Sequence, residues 1–242
     1  MGDRQVRAVR RLLTESLDGE RRGRDPVAAA GAVVARLGRP PELLELITEL
    51  ADGSGDPEDS ARLSYRHVLG FDKLLLAGVG SRHMLRVHLW HAGGGGTGAD
   101  DIHNHRSTLA SHIVRGRLGM ELYEARDDGE GVEANRYEES LAEGSADWLL
   151  EPAGRARLRL THTGHYAAGS TYALPPHTLH RAWCETDEPT VTLFLETGGG
   201  RRRHTDVFTT PGPHAGAVAK QPLDVPGYLA ALNGLAELLK DT

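Results

Sequence analysis

Two histidines separated by one residue, His103 and His105, are the first feature of the chain with clear chemical potential. On a β-strand, residues i and i+2 point to the same face, so both imidazoles can serve one metal ion. His180, in the segment YALPPHTLHRAW, can supply a third imidazole from a second strand. Neutral imidazoles bind Fe, Zn, Cu, Ni or Mn. The pair alone is weak evidence, because surface strands also carry His-x-His by chance.

Four other residues are candidates for a role near such a site. His88 lies on a strand whose polar residues alternate with apolar ones, so it faces either a cavity or solvent. His177, in the Pro-Pro turn, is expected to be a hydrogen-bond donor to a metal ligand or a rim residue, rather than a metal ligand itself. Tyr172 could offer a phenol, although a Tyr in a barrel more often packs with its hydroxyl at the rim. His112 falls out of step with His105 and is expected on the opposite face of its strand.

The elements that must position these residues form three stretches. Residues 1–60 repeat apolar side chains at helical spacing and are predicted to be helices packed on the rest of the protein. Residues 61–200 change to short β-like runs separated by Gly, Asp and Pro turns, which is typical of a sandwich or barrel. Residues 201–242 are predicted to form a Pro/Gly loop and one amphipathic helix over 226–240.

Composition argues against several classes of function. The 242 residues contain 28 Lys+Arg and 34 Asp+Glu, a formal charge of -6, so no nucleic-acid partner is expected. No apolar run approaches the roughly 18 residues that span a bilayer, and the first residues lack an apolar signal core; we therefore expect no membrane partner and a cytoplasmic location. The lone Cys184 fits a reducing compartment and is expected to behave as a small buried hydrophobe.

The first histidine segment resembles the first of the two short motifs of the cupin superfamily. It reads GADDIHNHRSTLASHIVRG. His103 and His105 fall in register, and Gly116 stands at the end of the motif. Leu109 occupies the place where the family usually has Glu.

The second histidine segment, GSTYALPPHTLHRAWC, resembles the second cupin motif. Gly169, Pro175 and His180 fall in register, whereas His177 replaces the second glycine and Cys184 replaces an Asn. The resemblance covers about residues 65–197. It implies a mainly β fold, a jelly-roll-like cupin barrel with N-terminal helices and one C-terminal helix.

The resemblance also implies one divalent metal held by His103, His105 and His180. With Leu109 in the Glu position the site keeps three histidines and no carboxylate, as in the cysteine dioxygenase-like thiol dioxygenases. In that family an Arg that binds the substrate carboxylate lies on the strand ahead of a Trp-containing segment. The corresponding segment here is MLRVHLWHAGGG, with Trp90, and Lys73 stands at the place of the Arg on the preceding strand. The family's late-strand Ser-His-Tyr relay is replaced, which argues against cysteine itself as the substrate. The residues at the three relay positions are Thr192, Phe194 and Glu196.

The implied function is an Fe(II)-dependent dioxygenase acting, with O2, on a small anionic or thiol-bearing substrate. A neutral three-His site leaves the metal its charge of 2+, which favours an anionic ligand. The candidate substrate-binding residues are Lys73, His88, His177 and Tyr172. Two alternatives stay open, a non-oxidative isomerase, lyase or hydrolase using Zn, Ni or Mn, and a non-catalytic small-molecule-binding barrel. Because free edge strands commonly pair, a homodimer is a further expectation.

Overall fold

The structure is a computed structural model that describes residues 3–18, 25–92, 101–126, 129–141, 148–198, 204–209, 217–218 and 220–240. The helices are α1 (Arg4–Leu13), α2 (Pro26–Leu37), α3 (Pro40–Ala51), α4 (Pro57–Arg62) and α5 (Val225–Lys240), with a π-helical turn at Thr14–Asp18. The strands are β1 (Tyr65–Arg66), β2 (Phe71–Val79), β3 (His83–Trp90), β4 (Ile102–His103), β5 (Thr108–Arg115), β6 (Arg117–Arg126), β7 (Val132–Leu141), β8 (Trp148–Ala167), β9 (Thr171–Leu174), β10 (Leu179–Cys184), β11 (Thr190–Thr197), β12 (Thr205–Thr209) and β13 (Ala217–Val218).

Two antiparallel sheets form the body of the protein. The first has six strands in the order β1-β2-β3-β11-β5-β9, and the second has seven in the order β13-β8-β6-β10-β4-β12-β7. A further pairing between β8 and β7 closes the second sheet on itself. The expected fold class, mainly β with N-terminal helices and one C-terminal helix, is confirmed by this architecture.

Helices cover the outer face of the first sheet. Buried apolar side chains point to this face, and Leu74, Leu85 and Leu193 are each at most 1% exposed. Helix α2 packs on β5 and β9, α1 and α4 pack on β2, and α5 packs on α3 and α4. The hydroxyl of Tyr228 in α5 donates a hydrogen bond to the carbonyl of Leu75 at 2.6 Å. The terminal helices therefore form one layer that holds the first sheet from outside.

The inner face of the same sheet carries polar side chains as well as aromatic ones such as Phe71 and Phe194. On β2 and β3 the residues between the buried leucines and valines include Lys73, Arg86 and His88, and all three are less than 10% exposed. On β11 the inward positions include Thr192 and Glu196. Burying polar groups is costly unless they have hydrogen-bond or ionic partners, so this group of buried polar residues indicates a functional site inside the barrel.

The second sheet extends beyond the boundaries expected from sequence. Thr205–Thr209, in the stretch expected to be a loop, forms a strand between β4 and β7. Strand β8 runs over 20 residues and pairs with β7 by its first half and with β6 by its second. The segment boundaries at 60/61 and 200/201 stay predictions.

Within the described ranges, no helix has the length and apolar character needed to cross a bilayer.

Candidate metal centre

Three histidines converge inside the barrel. His103 of β4 and His180 of β10 are direct partners in the antiparallel pairing, so their side chains stand side by side. The backbone N–H of His105 donates to the carbonyl of Pro176 at 3.1 Å, which holds His105 against the Pro-Pro turn. The ligand atoms of the three imidazoles all lie within 4.8 Å of one another. Such a group is close enough to bind one metal ion.

The outer nitrogen of each ring faces an oxygen. Nδ1 of His103 lies 3.3 Å from the carbonyl of Asp101, and Nδ1 of His180 lies 3.1 Å from the carbonyl of Thr178. A carbonyl only accepts, so these two Nδ1 atoms carry the proton and donate, which leaves the lone pair on Nε2. Nδ1 of His105 lies 3.6 Å from the carboxylate of Glu196. For His103 and His180 this arrangement fixes the tautomer that binds a metal through Nε2.

Burial keeps two of these rings neutral. It lowers the pKa of His180 to about 3, and the neighbouring His105 lowers it as well. Burial, followed by His180 and His105, holds the pKa of His103 well below its usual range. Metal binding requires an unprotonated imidazole, so at pH 7 these two rings need lose no proton before they bind.

The motif positions around the cluster have clear structural reasons. Gly116 has φ +80°, and a Cβ there would lie 2.3 Å from Oγ1 of Thr190; Gly169 has φ +86°. Both are backbone conformations that favour glycine. Leu109 is 1% exposed and packs with Met120 and other apolar side chains. Among the described residues, no carboxylate belongs to the three-histidine group.

A carboxylate nevertheless stands behind the cluster. Glu196 forms an ion pair with Arg86, whose side chain is 7% exposed, and faces His105 with its other oxygen. Burial alone would raise the pKa of Glu196, but the charges of Arg86 and Lys73 outweigh it and hold the pKa well below its usual range. Glu196 is therefore ionised at pH 7 and suited to accept a hydrogen bond from His105.

A cavity of about 190 Å³ opens beside His103 and His105. Part of its wall is apolar and part is charged. The apolar residues include Val68, Leu69, Met84, Leu150 and Val207, the cations are Lys73, Arg86, Arg106 and Lys220, and the carboxylates are Asp101, Glu139 and Glu196. A small molecule held here would contact a desolvated, charged surface next to the metal-binding atoms.

Lys73 is the predicted substrate-binding residue that the structure brings to this cavity. It is 9% exposed, and its Nζ lies 5.9 Å from the ring centroid of Tyr65. Burial, followed by the charge of Arg86, lowers the pKa of Lys73 to about 8. The ammonium is thus the main form at pH 7 and faces the space beside the histidines.

The other three predicted substrate-binding residues do not line this cavity. The ring of His88 is buried between Phe71 and Phe194, at centroid distances of 4.4 and 4.3 Å. His177 is exposed in the Pro-Pro turn, and Tyr172 packs against Tyr166 at 5.0 Å. Direct substrate contact is therefore not proposed for these three residues.

His112 and Cys184 lie away from the metal-binding atoms. Nδ1 of His112 is 2.7 Å from the Thr171 hydroxyl, and the ring abuts Gly38 beside the helical layer. This is the opposite face of β5, as the residue spacing indicates. Sγ of Cys184 is half-buried and lies 3.3 Å from Oγ1 of Thr190. Neither residue lines the cavity.

Several residues that line the cavity were not predicted from the sequence. Tyr65 and His67 come from β1 and the turn after it, Glu139 from β7, and Lys220 from the segment before α5. Nδ1 of His67 accepts a hydrogen bond from the N–H of Leu69 at 3.3 Å, which leaves its proton on Nε2. No local motif marks these residues, because they meet only when distant segments fold together.

A second group of potential ligands consists of Glu138 on β7, His204 just before β12 and Asp206 on β12. Its carboxylates have other partners. Arg136 lies 2.8 Å from Asp206 and 3.3 Å from Glu138. Asp206 also accepts from the Asn104 amide at 2.7 Å, while its own N–H donates to that amide oxygen at 2.9 Å. These hydrogen bonds hold Asn104, the residue between His103 and His105, in place. The second group therefore supports the three-histidine cluster.

No family model matches the sequence, and none of the curated proteins matches it. Among solved structures, the chain is similar to an RmlC-like cupin from Shewanella frigidimarina, with 15% identity, 56% of this chain and 83% of that chain covered, and a TM-score of 0.34. It is also similar to hydroquinone 1,2-dioxygenase from a Sphingomonas species, with 11% identity, coverage of 53% and 66%, and a TM-score of 0.33. It is similar as well to KdgF from a Halomonas species, with 15% identity, 54% of this chain and 82% of that chain covered, and a TM-score of 0.32. Likeness at this level carries no argument about chemistry, which rests on this chain's own side chains.

Proposed function

We propose that this chain is a metal-dependent enzyme that binds Fe(II) through His103, His105 and His180 and acts as a dioxygenase on a small anionic or thiol-bearing substrate. The observation that carries the proposal is the orientation of the three rings. Nδ1 of His103 and Nδ1 of His180 each donate to a backbone carbonyl, which leaves their Nε2 atoms available to a metal, and the ligand atoms of all three rings lie within 4.8 Å of one another. Imidazole ligands suit iron as well as zinc, copper and nickel.

The residues present suit a divalent ion, because three imidazoles offer ligand atoms within 4.8 Å of one another. The imidazoles contribute no charge, and Glu196 is occupied by Arg86 and His105, so a bound ion keeps most of its charge of 2+. Such a site favours a carboxylate, enolate or thiolate as an additional ligand. When bound, Fe(II) supplies the redox chemistry with O2 and a template for the substrate.

The protein's own contribution is binding, orientation and exclusion of water. Lys73 offers an ammonium to an acidic group of the substrate at the cavity wall. The apolar side chains Leu69, Met84 and Val207 limit the water that can enter beside the metal-binding atoms. In such a desolvated space, a charged hydrogen bond is stronger than in bulk water.

A second candidate is a non-oxidative lyase, isomerase or hydrolase that uses Zn, Ni or Mn. One observation favours it: Lys73 has a pKa of about 8, so it can give or take a proton near neutral pH. An acid–base group of this kind beside a Lewis-acidic metal is what proton-transfer chemistry needs.

One experiment separates the two candidates. The full chain is loaded anaerobically with Fe(II) or Zn, its metal content is measured, and O2 uptake is followed over a panel of thiols, amino acids and carboxylic acids. We expect one metal per chain and substrate-dependent O2 uptake with Fe(II) only. Turnover of a substrate with Zn and without O2 would instead establish the non-oxidative function. A chain that takes up neither metal, nor Ni or Mn when these are offered in their place, would contradict both.

A further inference from the structure

Two of the chain's three lysines, Lys73 and Lys220, lie at the same wall of the cavity. Nζ of Lys73 is 5.9 Å from the ring centroid of Tyr65, and Nζ of Lys220 is 5.0 Å from it. Lys73 comes from β2, whereas Lys220 comes from the segment just before α5. The fold thus brings two ammonium groups from distant parts of the chain to one aromatic ring.

Backbone contacts hold Lys220 in this place. Pro222 forms an isolated β-bridge with Tyr65, and the N–H of Leu223 donates to the carbonyl of Ser64 at 2.8 Å. The segment that carries Lys220 is therefore anchored to the strand that carries Tyr65. The convergence of the two lysines follows from the packing of the backbone as well as from side-chain rotamers.

The charges of the cavity wall favour an anion at this point. The arginines have carboxylate partners, since Arg86 pairs with Glu196 and Arg106 lies 3.3 Å from Glu139. The four cations and three carboxylates of the wall leave it with a net charge of +1, and a divalent metal adds two more. Neighbouring like charges in a buried place are unfavourable unless an anion joins them.

We propose that Lys73 and Lys220 form a subsite for a second acidic group, so that the substrate is a small dianion. One anionic group lies beside His103, His105 and His180, and a carboxylate or phosphate lies between the two ammonium groups next to Tyr65. This inference rests on the proposed function, because the histidine cluster holds the first group. Ammonium groups are point charges that accept anions of several shapes, so both acid types fit.

The test compares matched acids on the full chain loaded with Zn, a metal that cannot consume the ligand with O2. Isothermal titration measures the Kd of propanoate, butanedioate and 3-phosphonopropanoate. We expect the two diacids to bind about tenfold or more tightly than propanoate, as an added charged hydrogen bond would give. Lys220→Met should remove that advantage and leave metal content and propanoate binding little changed. Lys240→Met is the matched control, because Lys240 pairs with Glu237 on the surface of α5.

Diacids that bind no more tightly than propanoate, or an unchanged advantage in Lys220→Met, would overturn the subsite. The diacid that binds more tightly identifies the acidic group as carboxylate or phosphate. A failure of the proposed function is seen separately, as a chain that takes up no metal. In that case butanedioate and inorganic phosphate are titrated into the metal-free chain, where binding that depends on Lys220 is still expected and its absence counts against the subsite.

Discussion

Glu196 lies directly opposite Leu109 in the pairing of β11 with β5, and its carboxylate is 3.6 Å from Nδ1 of His105. The position where the cupin motif usually carries Glu is thus apolar, but a carboxylate reaches the cluster from the neighbouring strand. The carboxylate of Glu196 lies beside Nδ1 of His105, not beside Nε2. Glu196 can therefore orient His105 and fix its tautomer without taking a position on the metal.

The histidine cluster predicts a specific pattern of metal loss. His180→Ala should abolish stoichiometric binding of Fe(II) or Zn, because two imidazoles do not hold a divalent ion at this site against water. His162→Ala is the control, since His162 is exposed on β8. Metal content by mass spectrometry after gel filtration decides the question. Equal metal content in the two variants would show that the ion binds elsewhere.

Glu196→Gln should weaken metal binding by about 10- to 100-fold, the usual effect of removing a partner that orients a metal-binding histidine. It should also lower the free energy of unfolding by about 3 kcal/mol, because Arg86 loses its charged partner in a buried place. Chelator competition and urea denaturation measure the two effects. Glu133→Gln, which alters an exposed pair with Arg155, should change neither. Unchanged metal affinity in Glu196→Gln would refute the orienting role.

Asn104→Ala should loosen the turn that carries His103 and His105. The substitution removes the hydrogen bonds to Asp206 at 2.7 and 2.9 Å, both of them buried. We expect about 2 kcal/mol lower unfolding free energy and weaker metal binding. Asn233→Ala, which removes an exposed bond within α5, should leave metal affinity intact. A destabilised Asn104→Ala protein with wild-type metal affinity would assign Asn104 a structural role only.

Binding of an anionic ligand should weaken as the pH rises. Burial lowers the pKa of Lys73 to about 8, so the ammonium is present below this pH and is lost above it. The Kd of butanedioate should therefore increase from about pH 7 to about pH 9, with a midpoint somewhat above 8 because a bound anion stabilises the ammonium. Lys73→Arg stays charged over this range and should flatten the profile. Parallel profiles for the two proteins, measured by titration calorimetry, would exclude Lys73 as the titrating group.

The part of the site that sequence could predict is the part encoded locally. The two-residue spacing of His103 and His105, and the glycines that flank the two motifs, depend on neighbours within a few residues. The expected common strand is not found, because β4 ends at His103 and His105 follows it, held by its N–H against the carbonyl of Pro176. The pairing of His103 with His180 needed only the order of the two motifs. For the same reason the helical layer was predictable from apolar spacing.

The remaining parts depend on contacts between distant segments. The role of Glu196 follows from the register of β11 against β5, which no local pattern fixes. Strand β7 was missed because VEANRYEESL carries charged or polar side chains at most positions, and among residues 132–140 it buries only Ala134 and Tyr137. Lys220 reaches the cavity only because its segment docks on β1.

Because the chain has only three lysines, an amine-specific reagent can report on the cavity. Lys73 and Lys220 line it, whereas Lys240 is exposed at the end of α5. Because burial lowers the pKa of Lys73 to about 8, much more of this amine is uncharged near pH 8 than for an ordinary lysine, so a small acylating reagent should modify Lys73 early in the reaction. The peptide that contains Lys73 then reports cavity occupancy, because a bound acid shields it, while the Lys240 peptide serves as the internal reference. Ligands could be screened in this way by mass spectrometry before any reaction is known.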